Sequence, residues 1–290
     1  MKIAPLEKWI QTYKKPVLAL QATLVFTFLY LPILILIIYS FNDSRFDANW
    51  TGFTLNWYQK LLTGLTESTA DISTESLWSS LQNSLIIALS STLVATFLGT
   101  LMALALERFR FPGSKVLEAL LLLPIIIPEI TLGVSLLVFF TLVFRILENL
   151  TGIRLTLGLP SVMISHATFS IAFITITVRA RLSDLDPALE EAALDLGANE
   201  WKTFWRVTFP LILPAILSGA LLAFTLSLDD FVVTFFTTGV GATTLPLFVY
   251  GMIKLSVTPI INAISTLMLL VSLFFVISAL KLQNQVNINN

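Results

Sequence analysis

Residues 190–210 read EEAALDLGANEWKTFWRVTFP, a polar segment between two apolar runs that are each long enough to cross a membrane. Just upstream, Asp186 followed by Pro187 is a helix-capping and first-turn signature. Gly197 occupies a position at which a left-handed residue ends a helix. These signals predict one short helix, Pro187 to Leu196.

A second short helix is predicted after this one. Asn199 can cap it, and aromatic side chains recur at helical spacing from Trp201 until Pro210 ends it at the next apolar run. The first helix has a small face with acids beside it, formed by Ala188, Ala192 and Ala193 with Glu190, Glu191 and Asp195. A helical hairpin of this shape suits insertion into a partner protein. The alternative is a hairpin that lies on the membrane with its aromatic side chains in the interface.

The composition around this segment is that of an integral membrane protein. The 290 residues are 56% hydrophobic and only 12% charged, and their mean hydropathy is +0.87, which is too apolar for a soluble domain. A membrane helix needs about 20 apolar residues. Six stretches meet this length: Val17 to Phe41, Leu77 to Leu106, Val116 to Phe144, Leu159 to Val178, Ile212 to Thr238 and Pro259 to Leu280.

Several classes of function are disfavoured by what the sequence lacks. The chain has no cysteine and a single histidine, so disulfides, thiolate chemistry and a conventional His-based metal site are not expected. It has no phosphate-binding loop of the G-x-x-x-x-G-K-[ST] type, so any dependence on ATP must come from a partner. We expect no enzymatic activity, because no Ser or Asp arrangement is recognisable near His166 in the sequence.

The positive charges predict the orientation. Twelve Lys and Arg residues fall on the side that carries both termini and five fall on the other side, so both termini are predicted to be cytoplasmic. The chain then divides into a cytoplasmic segment 1–16, a six-span domain 17–280 with a cytoplasmic loop 179–210, and a cytoplasmic tail 281–290. The basic turn RFRFPG, residues 108–113, does no more than mark the inner face. A short helix is expected in FTLNWYQKLL, residues 53–62, on the outer side.

Four ionisable residues stand in apolar surroundings: Glu129, His166, Asp229 and Asp230. Such groups usually face a bundle interior or water, and they mark transport pathways by default. No Lys or Arg occurs from Val207 to Ile253 that could neutralise the two aspartates. One aspartate can face a pathway while the other caps a helix break or pairs with another subunit. For His166, hydrogen bonding to a neighbouring span is the alternative.

The third predicted span contains two prolines, Pro124 and Pro128. Proline removes a helical hydrogen bond and crowds the preceding turn, so we expect an interruption just before Glu129. The backbone carbonyls freed by a broken membrane helix are tolerated only where they line a cavity or are buried in protein.

The segment at 190–210 resembles the EAA loop of the permeases of binding-protein-dependent ABC importers. Glu191, Ala192, Ala193, Gly197 and Pro210 fall at the spacing of that motif. Val207 and Phe209 stand where Ile and Leu are usual, a mild departure. Stretches elsewhere in the chain look most like the spermidine/putrescine permeases of this family, among them FTLNWY, LLPIIIPEITLGVSLL, SHATFSIAFITITVRARL and AFTLSLDDFVVTFFTTGVG.

This resemblance implies an all-α integral membrane fold with six transmembrane helices, the MetI-like core of a type I ABC importer. It implies a permease subunit that moves spermidine or putrescine across the bacterial inner membrane by alternating access. The expected partners are a second permease, two ATP-binding subunits that use ATP and Mg, a periplasmic polyamine-binding protein and the lipid bilayer, and no nucleic acid. This chain would bind no cofactor itself. ATPase coupling is expected to involve Glu190, Glu191, Ala192, Ala193, Asp195, Gly197 and Pro210.

Other readings stay open on the sequence. The same fold could carry ferric iron or a small anion, and an ion-coupled secondary transporter could use the intramembrane carboxylates as an ion site. Which polyamine is carried, whether the second permease is a homologue or a copy, and which of Asp229 and Asp230 faces the pathway are also undecided.

Overall fold

The computed structural model is a set of helices joined by short loops, and it describes residues 5–44, 49–63, 74–255 and 259–288. The described helices are α1 (Pro5–Tyr39), α2 (Asn56–Thr63), α3 (Thr74–Arg108), α4 (Ser114–Ile126), α5 (Glu129–Thr151), α6 (Leu159–Ser183), α7 (Ala188–Asp195), α8 (Glu200–Thr203), a π-helical turn (Phe204–Thr208), α9 (Phe209–Asp229), α10 (Val232–Thr237), α11 (Leu245–Leu255) and α12 (Pro259–Ile288).

Six helical segments of the described chain are long and apolar enough to cross a membrane, which confirms the predicted number of spans. Their bounds are Pro16–Tyr39, Glu75–Arg108, Glu129–Thr151, Leu159–Ser183, Glu200–Asp229 and Pro259–Gln283. Parts of the predicted terminal segments 1–16 and 281–290 lie outside the described residues. Lys2 and Arg45, two of the residues counted in predicting the orientation, also lie outside them.

The chain divides into two compact units. The smaller unit, Met1–Thr66 with Met252–Leu267, holds the short helix α2 that the sequence predicts. Within it, the indole Nε1 of Trp57 donates to the carbonyl oxygen of Asn42 at 2.7 Å, and the hydroxyls of Ser40 and Tyr58 are 2.6 Å apart. These bonds hold α2 against the residues that follow α1.

The core of the larger unit, Glu67–Gly251 with Met268–Asn290, lies where α3, α6 and α9 meet. Small residues let these helices approach closely, because a membrane interior supplies no hydrophobic drive between helices and van der Waals packing takes its place. A Cβ added at Gly99 of α3 would lie 3.0 Å from the Cβ of Ile174 in α6. The buried cluster at this junction comprises Ala95, Ala103, Ile174, Val178, Leu182, Ile212, Ile216 and Ala223.

The third predicted span is interrupted as expected, although only one of its two prolines is responsible. Pro124 lies inside α4, which continues to Ile126. The break falls at Ile127 and Pro128, and α5 begins at Glu129. The predicted span Val116 to Phe144 therefore consists of two helices, of which α5 alone has the length of a membrane span.

Two other predicted boundaries are wrong. The fifth span does not run unbroken to Thr238, because α9 ends at Asp229 and α10 begins at Val232. Pro210 does not end the second short helix, because α8 continues through the π-helical turn into α9. Pro210 lies in the first turn of α9, where a missing backbone N–H is tolerated.

The chain that follows the C-terminal end of α10 contacts α3 and the loop before α6. The side-chain amide of Asn83 in α3 donates to the carbonyl oxygens of Gly241 and Thr243, both at 3.0 Å. Gly239 approaches the backbone of Leu157 so closely that an added Cβ would lie 1.9 Å from its carbonyl oxygen. The chain after α10 is therefore fixed both to α3 and to the loop before α6.

Candidate functional site

The loop from Asp186 to Pro210 has the local structure that its punctuation predicts. The carboxylate of Asp186 accepts a hydrogen bond from the backbone N–H of Ala188 at 2.9 Å. Gly197 has a φ of +85°, in the left-handed region that a residue with a Cβ rarely adopts. The side chain of Asn199 caps α8 by accepting from the backbone N–H of Lys202 at 2.9 Å.

The residues predicted to contact an ATPase lie mostly on the surface. No residue of α7 is buried, and Glu191, Ala192, Asp195, Gly197 and Pro210 are exposed while Ala193 is partly covered. A Cβ added at Gly197 would meet no atom within 4 Å. Leu196, beside Gly197, is 89% exposed, so the loop presents small and apolar groups to its surroundings.

Glu190 differs from its neighbours because its carboxylate is held from two sides. Both nitrogens of the Arg108 guanidinium fork donate to its two oxygens, and the Thr208 hydroxyl donates to Oε1 at 2.5 Å. The hydrogen bonds from Arg108 hold the pKa of the Glu190 carboxyl below its usual range. The contribution of these hydrogen bonds to the stability of the folded protein is therefore complete above the ordinary Glu pKa. It is lost as pH falls through the lowered pKa of Glu190.

Arg108 has more than the orientation-marking role that the sequence assigns to its basic turn. Together with Thr208 it forms a set that we name the Glu190 clamp: Arg108, Glu190 and Thr208. Sequence reasoning missed Arg108 and Thr208 as functional candidates. Arg108 is 82 positions from Glu190 along the chain, and no local spacing signals such a contact.

A second group of polar side chains surrounds the break between α9 and α10. Asp230 has an extended backbone, with φ −66° and ψ 127°. Its carboxylate accepts from the backbone N–H of Thr234 at 2.8 Å and of Val233 at 3.4 Å. The Thr234 hydroxyl also contacts it at 2.8 Å. Asp230 therefore satisfies two of the free N–H groups at the start of α10, as a helix cap does.

His166 connects this cap with two other helices. It is fully buried on α6, with Nδ1 2.7 Å from the Ser227 hydroxyl. Its Nε2 lies 2.9 Å from the Thr234 hydroxyl and 3.2 Å from Oδ2 of Asp230. Ser227 in turn lies 3.1 Å from the Ser91 hydroxyl of α3. The Nε2–H tautomer satisfies every contact if Ser91 donates to Ser227 and Ser227 donates to Nδ1.

The structure thus places a Ser and an Asp on His166, contrary to the expectation from sequence that no such arrangement is near it. The arrangement is unsuited to acyl transfer. Ser227 is only 4% exposed, so no substrate carbonyl can reach its hydroxyl, and a nucleophile must be reachable to act. The network instead joins α3, α6, α9 and α10.

Asp229 and Glu129 are the accessible acids of the four that the sequence singles out. Both side chains are exposed. Asp229, the last residue of α9, accepts a hydrogen bond from the Ser272 hydroxyl of α12 at 2.8 Å. None of the described Lys or Arg side chains forms a salt bridge with Asp229 or Asp230.

Glu129 is not joined to this group by any hydrogen bond or ion pair within the described part of the chain. It begins α5 just after the Pro128 break. One helical turn further along the same face, Gly133 touches α10, since an added Cβ would lie 2.7 Å from Cδ2 of Phe236. Of the four residues, His166 and Asp230 therefore contact each other. Asp229 ends α9 next to Asp230 but bonds to Ser272, and Glu129 lies on the α5 face that packs on α10.

Comparison with known proteins identifies the family of this chain. Residues 95–285 match the model of the binding-protein-dependent transport system inner membrane component. The chain belongs to this family. As a binding-protein-dependent permease it is a multi-pass protein of the bacterial inner membrane, which agrees with its six apolar spans.

Curated relatives of this permease are similar over most of their length. It is 41% identical to the spermidine/putrescine transport system permease protein PotC of Escherichia coli K12, over 89% of this chain and 90% of the relative. It is 42% identical to the putrescine transport system permease protein PotI of the same organism, over 84% and 82%.

Solved structures share the fold of this permease. A bacterial ABC transporter involved in the import of the acidic polysaccharide alginate superposes with a TM-score of 0.71 at 20% identity, over 97% of this chain and 99% of the other. The MetNI methionine ABC transporter gives 0.54 at 16% identity, over 81% and 99%. The expected MetI-like, all-helical importer fold is thereby confirmed.

The two aspartates are predicted to differ in their effect on stability. Asp230→Ala removes the cap of α10 and a partner of His166, and we expect it to cost about 2 kcal/mol of unfolding free energy. Asp229→Ala removes one exposed hydrogen bond and should change stability by less than about 0.5 kcal/mol. Thermal loss of helical circular dichroism in detergent measures both, and equal losses would contradict the assignment of the cap to Asp230.

Proposed function

We propose that this chain is a permease subunit of an ATP-driven importer that moves polyamines inward by alternating access. The proposal is carried by sequence similarity: the chain is 41% and 42% identical to permeases named for spermidine and putrescine transport, and the match covers 90% of the first of them. The accessible carboxylate of Asp229 supports it, because a polyamine carries ammonium groups that need anions or oxygen acceptors when they leave water.

Asp229 is the residue that we propose for direct contact with the cargo, together with Glu129. Only Oδ1 of Asp229 accepts a hydrogen bond from a described side chain, so its other oxygen is available to an ammonium group. Asp230 and His166 are the other two residues proposed for the path. They would act indirectly, by stabilising the helix break next to which Asp229 is exposed. Phe231 packs 4.5 Å from Tyr250, centroid to centroid, and its ring could add a cation-π contact.

The loop 179–210 is proposed to couple this chain to an ATP-binding subunit, and the residues proposed for this coupling are Glu190, Glu191, Ala192, Ala193, Asp195, Gly197 and Pro210. The exposure of α7 and the open space at Gly197 support this. The orientation proposed with it places this loop and both termini in the cytoplasm. The further partners would be a second permease, two ATP-binding subunits that use ATP and Mg, and a periplasmic polyamine-binding protein. A solved transporter of this fold is in complex with a periplasmic protein.

Uptake in membrane vesicles that carry the whole complex tests the cargo. We expect labelled spermidine or putrescine to accumulate only with ATP inside and the matching binding protein outside. Unlabelled polyamine should compete, whereas ferric iron and sulfate should not. Accumulation driven by an ion gradient without ATP would favour a secondary transporter instead, and no polyamine uptake under either condition would refute the proposed cargo.

Replacement of Asp229 by Asn tests its contact with the cargo. The change keeps the shape of the side chain and removes its charge, and loss of a charge-assisted hydrogen bond of about 1.5 to 3 kcal/mol predicts at least a tenfold fall in uptake at low substrate concentration. Glu148→Gln, at an exposed acid near the end of α5, is the matched control. Uptake by Asp229→Asn equal to that of the control would show that Asp229 does not meet the cargo.

Gly197 allows steric blockage of the loop to be separated from backbone strain. Gly197→Ala and Gly197→Arg share the strain of a positive φ, a cost of about 1 to 2 kcal/mol, but only Arg fills the open space beside Leu196. We expect the Arg variant to insert normally, to lose ATP-driven uptake and to release the ATP-binding subunit, and the Ala variant to retain most uptake. Co-purification and vesicle uptake measure these outcomes, and an active Arg variant would contradict the proposed contact.

A further inference from the structure

The Glu190 clamp connects the exposed helix α7 with two of the three helices that form the core of the larger unit, α3 and α9. Arg108 is the last residue of α3, and Thr208 is the last residue of the π-helical turn that leads into α9. A single carboxylate on α7 therefore binds the end of α3 and the base of α9 at once. The side chain of Glu191, its neighbour in the chain, forms no hydrogen bond or ion pair with another described residue, and its backbone N–H donates to the carbonyl oxygen of Pro187, the residue before α7.

The contacts of the clamp are directional. A guanidinium that binds both oxygens of a carboxylate fixes the relative orientation of the two groups as well as their distance. The Thr208 side of the clamp is enclosed, with Thr208 only 2% exposed. Rotation of α7 relative to α3 and α9 would therefore break at least one of these bonds.

The helices that the clamp binds are also joined to each other and to their neighbours. Next to Arg108, Glu107 of α3 pairs with Arg179 of α6 at 3.0 Å. The same arginine pairs with Glu118 of α4 at 2.7 Å. Further along these helices, the buried cluster around Ile174 packs α3, α6 and α9 together.

One of these helices reaches the intramembrane acids. α9 runs without interruption for 21 residues from Phe209, next to Thr208, to Asp229. Its length is about 31 Å at 1.5 Å per residue. The clamp and the helix break at Asp229 and Asp230 are therefore opposite ends of one helix.

We propose that Arg108 and Thr208 are positioning residues that, through Glu190, make α7 move as one body with α3 and the base of α9. Displacement of α7 is then transmitted along α9 to the break that presents Asp229. This inference rests on the proposed function, since it assumes that α7 contacts an ATP-binding subunit. It assigns Glu190 to transmission of the movement and leaves Glu191 to the contact itself.

Part of the clamp is accessible to water, which makes its role in coupling separable from folding. The side chains of Arg108 and Glu190 are 39% and 22% exposed, and ion pairs with this exposure contribute little to stability. Their conservative replacement should therefore leave the folded protein intact.

The test uses the whole complex in vesicles with Arg108→Lys, Glu190→Gln and the double variant. Lys keeps the charge but cannot reproduce the two-nitrogen fork. Arg110→Lys, an exposed position in the same turn, is the matched control. The measurements are polyamine molecules transported per ATP hydrolysed and the amount of ATP-binding subunit that co-purifies.

For both single variants we expect the ratio of transport to hydrolysis to fall about fivefold or more, the lower range of an allosteric coupling, with co-purification unchanged. The double variant should be no worse than either single one, because the two residues act as one unit. Arg110→Lys should match the wild type.

Three results would overturn the inference: a ratio in Arg108→Lys equal to that in Arg110→Lys, additive losses in the double variant, or loss of the ATP-binding subunit from the complex. Failure of the proposed function would be distinguishable, because the wild-type complex itself would then transport no polyamine with ATP. If the wild-type complex transports polyamine with ATP and the clamp variants have the same transport ratio, the proposed role of the clamp is refuted and the proposed function stands.

Discussion

A break between apolar helices leaves backbone groups without helical partners, and where water is excluded the protein must supply their hydrogen-bond partners. In this chain the break between α9 and α10 depends on the carboxylate of Asp230, which accepts the N–H groups of Val233 and Thr234. His166 fixes that carboxylate from α6 and reaches Ser227 on α9. These bonds stabilise the start of α10 directly after the end of α9 at Asp229, whose own side chain is exposed.

The packing of α3, α6 and α9 supports both of the sites described above. Gly99 and Gly219 bring their helices close to Ile174, and the hydroxyl of Thr175 donates to the carbonyl oxygen of Gly99 at 3.2 Å. A core built on small residues and interhelical hydrogen bonds is typical of membrane helix bundles. It gives α9 a fixed position, with the Glu190 clamp at one end and the intramembrane acids at the other.

The same fold occurs in transporters with different cargoes. Transporters involved in alginate and in methionine import share the fold at 20% and 16% identity, although one cargo is an acidic polysaccharide and the other an amino acid. The architecture therefore does not determine what is carried. In this chain Asp229 and Glu129 keep exposed carboxylates on that architecture, and the polyamine cargo proposed above depends on such side chains.

The sequence by itself determined the features that depend on near neighbours in the chain. Six apolar runs fixed the number of spans, and Asp186, Gly197 and Asn199 fixed the local structure of the loop, because caps and turns involve residues only a few positions apart. The tertiary structure decided which of two prolines breaks the third span and where the fifth span ends. It decided that the helix continues from α8 through the π-helical turn into α9, with Pro210 in the first turn of α9. It also decided that His166 meets Ser227 and Asp230 and that Arg108 binds Glu190. These contacts join residues far apart in the chain, and their geometry depends on how the helices pack, which no local pattern records.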